Sequence, residues 1–140
     1  MTHNFSLVPG GVASVELVDL AQYALDVTRA NITTTTKLIK RLIRRNAADL
    51  EAVDHYTLCL NQIHKGALSK VESTQEILKN GDYQYLNVIA SGIRTHIDLC
   101  IDGESPSDTP FNDTSLLPTY AYTISQVVEI IVIISNILYK

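Results

Sequence analysis

Between Ser14 and Arg45 apolar residues recur at Leu17/Val18, Ala21, Ala24/Leu25, Ile32, Leu38/Ile39 and Leu42/Ile43, with no Pro or Gly between them. That three-and-four spacing lines one face of a helix and predicts a single long one. Thr33 to Thr36 form a β-branched run inside it. Each such residue costs roughly a few tenths of a kcal/mol in a helix, so a kink or weak turn is expected there while the flanking period stays in phase. Asn46-Ala47-Ala48 breaks the pattern, and Asp49 stands where its carboxylate caps the next helix. A second helix is predicted from Leu50 to Lys79, with Val53, Tyr56, Leu60, Ile63, Ala67/Leu68, Val71, Thr74 and Leu78 as its inner stripe.

Asn80-Gly81-Asp82 is a stop and a start in three residues. Gly81 suits the left-handed end of one helix and Asp82 the cap of the next, so the two helices should be antiparallel neighbours. A third helix, Tyr83 to Ile101, buries Leu86, Ile89/Ala90, Ile93, Ile97 and Cys100, which leaves Asn87, Ser91, Arg94, Thr95 and Asp98 on the opposite face. Gly103 to Pro118 holds three of the four prolines and reads as the long loop. A fourth helix, Thr119 to Leu138, follows, with a narrow wet edge at Gln126, Glu129 and Asn136. Its Ile and Val content suits strands too, but an unbroken length without turn signals favours a helix. The fold class is therefore all-α, an up-and-down four-helix bundle over residues 14–140, with residues 1–13 as an N-terminal extension.

The chain has 140 residues, 46% of them apolar, which is enough for the core of one domain. Eleven basic against fifteen acidic residues, a formal charge of -4, argue against nucleic-acid binding. Lys37, Lys40, Arg41, Arg44 and Arg45 read as the solvated face of a helix. The run from Ile124 to Tyr139 is the most apolar stretch, but Ser125, Gln126, Glu129, Ser135 and Asn136 interrupt it, so a buried helix is expected and no membrane span. Met1 to Gly11 lacks the cationic start and apolar run of a secretory signal. Sequons at Asn4, Asn31 and Asn112 lean toward a secreted, glycosylated chain all the same.

Cys59 and Cys100 lie on facing inner stripes, 22 and 19 residues from Gly81, and so at similar heights in the bundle. A disulfide fits, with Cα atoms expected about 5 to 6 Å apart. Two other readings stay open at this point. His55 and His96 each precede a cysteine by four residues, so two imidazoles and two thiolates are available to zinc, and two free buried thiols are the third choice. Catalysis finds little support: there is no phosphate-binding glycine loop and no nucleophile elbow. A His55–Cys59 dyad would face the core without a cleft. Tyr83 and Tyr85 flank the tight turn, where an exposed ring serves as an anchor for a partner. Together these features describe a binding protein, not an enzyme.

Tyr56-Thr57-Leu58-Cys59, Lys79-Asn80-Gly81-Asp82-Tyr83, Leu86-Asn87, Ala90-Ser91 and Asp98-Leu99-Cys100 resemble the plant invertase and pectin methylesterase inhibitor family. Val132 to Leu138 is similar to that family's last helix. The resemblance implies a secreted, cell-wall bundle, a bond between Cys59 and Cys100, no cofactor, and a monomer forming a 1:1 complex with its target enzyme. Members usually begin with a helical hairpin carrying its own disulfide, and this chain is expected to lack it. Invertase inhibitors carry Pro-Lys-Phe after the Gly-Asp of the turn, whereas Tyr83-Gln84-Tyr85 stands here. Pectin methylesterase is therefore the expected target and acid invertase the alternative. The expected contacts are Tyr83, Gln84 and Tyr85 at the turn and Asn87, Ser91, Arg94, Thr95 and Asp98 along the third helix.

Overall fold

A computed structural model describes residues 11–105 and 109–139. These form four helices, α1 (Gly11–Arg45), α2 (50–80), α3 (Tyr83–Asp102) and α4 (Leu117–Tyr139), with no strand among the described residues. The expected all-α bundle is the observed fold. Each helix packs on its two neighbours, so α1 and α3 occupy opposite corners of the bundle. α1 starts three residues before Ser14, so the end of the expected extension is helical; residues 1–10, Asn4 among them, lie outside the described part.

The threonine run does not break α1. Thr35 and Thr36 are buried, and Thr33 donates its hydroxyl to the Arg29 carbonyl at 3.2 Å, as Thr28 does to Ala24 at 2.8 Å. Back-bonding removes much of the cost of burying Thr28, whereas the buried Thr36 hydroxyl has no hydrogen-bond partner among the described residues; core contact on both flanks outweighs that cost and the weak propensity of the run. Asn46 closes α1 by donating its side-chain amide to the Leu42 carbonyl at 2.8 Å. Asp49 then caps α2 as expected, accepting from the Ala52 amide at 3.2 Å.

α2 carries a feature that its apolar period did not announce. It is α-helical over Leu50–Leu60 and Leu68–Asn80, but the segment Asn61–Ala67 between them is π-helical. This segment lies under α3. A Cβ added to Gly66 would stand 2.4 Å from His96 Nδ1 and 2.9 Å from its Cγ, so the imidazole occupies the space that any other residue would fill. Nδ1 meets Gln62 Oε1 at 2.7 Å, one turn before Gly66. Such bulges place side chains where a regular helix cannot.

The turn at Asn80-Gly81-Asp82 is as read from the sequence. Gly81 has φ +76°, a left-handed cap that L side chains rarely adopt, and Asp82 accepts from the Tyr85 amide at 3.2 Å. α4 begins at Leu117, two residues before the expected start, because Pro118 falls in the first turn, where its missing N–H costs nothing. Leu117, Ala121, Ile124, Val128, Ile131 and Ile134 on its inner face are buried against α1 and α3. By length and composition alone α4 is apolar enough to cross a membrane; here that inner face is core. Its wet edge is paired: Glu129 takes Arg94 at 2.8 Å, and Asn136 accepts from Asn87. Beside that narrow edge, the exposed side of α4 carries Ile130, Ile133 and Ile137, 41 to 52% accessible, an apolar strip.

Candidate partner-binding surface

The hairpin of α2 and α3 is locked by a disulfide between Cys59 and Cys100, both fully buried. The Cα atoms are 4.4 Å apart, closer than the expected 5 to 6 Å. The small residues Gly66 and Gly92 bring the two helices together, since a Cβ on Gly92 would stand only 3.3 Å from the Lys70 side chain. With both sulfurs bonded to each other, the zinc and free-thiol readings fall away, and so does a Cys59 nucleophile. His96 turns to Gln62, and among the described residues no group of three or more His, Cys, Asp or Glu side chains is placed to hold a metal.

The turn and the outer face of α3 form one surface, polar except for Val88, which is 61% accessible in its middle. Gln84 is exposed and Tyr85 is 47% accessible, whereas Tyr83 is half-buried and packs on the core, which leaves Tyr85 as the freer ring. Thr95 and Asp98 are exposed, and Asn87, Ser91 and Arg94 are half-buried along the same face. Arg94 donates from one guanidinium nitrogen to both oxygens of Glu129, at 2.8 and 3.2 Å, a half-exposed ion pair that ties α3 to α4. Of the two sequons within the described residues, Asn31 lies half-buried in the middle of α1 and Asn112 is exposed in the connection before α4.

A second constellation, missed in the sequence, fastens that connection to α2. His55 stacks on Phe111 at 4.6 Å, and Tyr56 meets the same ring edge-on at 5.7 Å. Asp113 accepts from the Tyr56 hydroxyl at 2.8 Å and from the Ser115 amide at 2.9 Å through Oδ1. Its Oδ2 is buried without a hydrogen bond and lies 3.6 Å from His55 Nε2. Burial holds the Tyr56 hydroxyl above the ordinary phenol range. His55 and Cys59 do come together, with Nε2 3.7 Å from Sγ, but through packing and not as a catalytic pair.

Burial also pushes the His55 pKa below its ordinary value of 6.5, only partly offset by the Asp113 charge, and burial beside Lys70 does the same to His96. A folded pKa below the unfolded one means that these groups contribute full stability above about pH 6.5 and lose it as the pH falls through the folded values. Urea midpoints are accordingly expected to fall from pH 7 to pH 5, with a shallower fall in His55→Gln. Parallel pH profiles for the two proteins would remove His55 as a contributor.

The fold thus defined is a four-helix bundle with a disulfide-locked hairpin of α2 and α3. The resemblance seen in the sequence is borne out, on the pectin methylesterase inhibitor side of the family: the chain is 26% identical over 130 residues to a pectinesterase inhibitor from Actinidia deliciosa. That match covers 90% of this chain, and the chain spans 65% of the length of this curated relative. A crystal structure of a pectin methylesterase inhibitor from Arabidopsis thaliana superposes with a TM-score of 0.75 at 26% identity, covering 87% of this chain and 78% of that one. A mutant form of a pectin methylesterase inhibitor from Arabidopsis gives 0.71 at 28% identity, covering 86% and 77%. These relatives are inhibitors and not enzymes. No family model matches the chain.

Proposed function

We propose that this protein inhibits a pectin methylesterase by laying the exposed faces of α2 and α3, with the turn between them, over the polysaccharide-binding cleft of the enzyme. The observation that carries this reading is the likeness to pectin methylesterase inhibitors over most of the chain, in sequence and in fold. The local chemistry agrees with it. The disulfide ties α2 to α3 and the Arg94–Glu129 pair ties α3 to α4, so the α3 face is ordered before binding. Pre-ordering of this kind reduces the entropy lost on association. An interface of standard size, roughly 1,600 Å² in total, suffices for a 1:1 complex. The protein acts outside the cell, at the cell wall, and Asn112 is the sequon best placed to carry a glycan.

The test is a parallel titration of a plant pectin methylesterase and a plant acid invertase at mildly acidic pH. Inhibition of the methylesterase at concentrations that leave invertase untouched is expected, because the turn offers Tyr83-Gln84-Tyr85 in place of the cationic Pro-Lys-Phe segment. Tyr85→Ala should weaken the complex by more than about 1 kcal/mol, with Tyr83→Ala acting more through stability than through binding. Selective inhibition of invertase would reverse the assignment of the target, and inhibition of neither would remove it.

A further inference from the structure

Lys37, Lys40, Arg41, Arg44 and Arg45 are all exposed, and none of them makes an ion pair among the described residues. At 100° per residue they fall within about 140° of arc, turned away from the buried Ile39 and Leu42. Five of the eleven basic residues of an acidic chain are thus concentrated on three turns of one helix. Only Arg44 and Arg45 lie in the last turn, where they favour the helix dipole; the other three gain nothing from it. Concentrated positive charge on a chain of net charge -4 gives this flank a local field that attracts polyanions.

The neighbouring surface narrows the choice. One turn before Lys37, a groove of about 210 Å³ runs between α1 and α4, lined by Asn31, Thr34, Thr35, Tyr120 and Thr123. Hydroxyls, an amide and the edge of a phenol suit a sugar, which offers hydroxyls in return. A membrane surface would call for apolar side chains among the cations. The exposed large apolar residues of α1 are Val15, Leu20 and Tyr23, more than three turns away. Single-stranded nucleic acid would call for exposed aromatic rings on the strip, and the strip has none.

We propose that the outer flank of α1 binds an acidic polysaccharide, a polyuronate whose carboxylates lie along the cations while a neighbouring sugar occupies the hydroxyl-lined groove. The choice of a polyuronate rests on the inhibitor reading above, since removing methyl esters from pectin uncovers carboxylates on the polymer. α1 sits on the corner opposite α3, and the groove opens on the α4 side of α1, so the polymer would lie away from the α3 face that meets the enzyme.

The test is affinity electrophoresis of the full chain through gels containing polygalacturonate or fully methyl-esterified pectin, with no enzyme present. Retardation by polygalacturonate alone is expected, fading as salt rises from about 50 to about 200 mM. The variant Lys40→Gln/Arg41→Gln/Arg44→Gln/Arg45→Gln should bind at least about tenfold more weakly. A charge-preserving variant, Lys40→Arg/Arg41→Lys/Arg44→Lys/Arg45→Lys, should be retained, and a thermal melt confirms that each protein is folded. The glutamine variant is expected to inhibit the methylesterase as wild type does, which separates this proposal from the previous one. No retardation of the wild type, equal retardation by the esterified polymer, an unaffected glutamine variant, or tighter binding to anionic phospholipid vesicles or single-stranded DNA overturns it.

Discussion

Cys59→Ser is expected to lower the unfolding free energy by about 2 to 4 kcal/mol while leaving the helical content of the folded protein in place. The bond closes a loop with a sequence separation of 41, for which the loop-entropy relation gives about 4 kcal/mol. Both sulfurs are fully buried, so the variant also places a polar hydroxyl in the core in their stead. The helices persist because Leu86, Ala90, Ile93 and Ile97 pack on the core independently of the bond. Equilibrium denaturation by urea, with and without reductant, measures the difference. Coinciding midpoints for the oxidised wild type and the variant would mean that the bond does not constrain the unfolded chain.

Gly66→Ala gives the second large effect. Helix propensity alone favours the alanine by about 1 kcal/mol. The new methyl would stand 2.4 Å from His96 Nδ1 and 2.9 Å from its Cγ, so the whole ring has to leave, and with it the contact to Gln62. Overpacking of this kind costs about 1 to 3 kcal/mol, and the net change is expected to be destabilising. Adding His96→Ala opens the space, so the double variant should be more stable than Gly66→Ala alone. A single variant at least as stable as wild type would show that the ring moves aside at little cost.

The contrast between Gly81 and Gly66 explains what the sequence made legible. Gly81 acts locally: φ +76° and the Asp82 cap depend on residues within one turn, so Asn80-Gly81-Asp82 could be read directly. Gly66 acts at a distance of thirty residues, through a ring on another helix, and the π segment around it leaves no trace in the apolar period. The stripe of α3 was legible but for Ile89, which is half-buried beside Ala90, because its buried residues face one core. On α2 the buried positions are Ala52, Tyr56, Cys59, Ile63, Ala67, Val71, Thr74 and Leu78, with Val53, Leu60 and Leu68 only half-buried. Small residues take the closest approaches there, which a reading by hydrophobicity undervalues. In the candidate site, the polar face from Asn87 to Asp98 followed from periodicity. The burial of Tyr83 and the engagement of Arg94 by Glu129 depend on helices that meet only in the fold. His55 was paired with its sequence neighbour Cys59, while its tightest ring partner is Phe111, far along the chain.

The clamp that Phe111 and Asp113 make on His55 and Tyr56 divides the connection between α3 and α4 into two parts of unequal evolutionary freedom. Asp113 holds Tyr56 with the same oxygen that receives the Ser115 amide, and the Ser115 hydroxyl receives the first amide of α4, so one carboxylate sets where the last helix starts. Residues inserted between Gly103 and Thr109 lie upstream of that clamp and leave the entry angle of α4 unchanged. One residue inserted between Phe111 and Leu117 would shift the start of α4 against its anchor and put the register of its whole buried face at risk. Variation in length among relatives of this chain should therefore collect before Phe111, and the six residues that follow should keep their number.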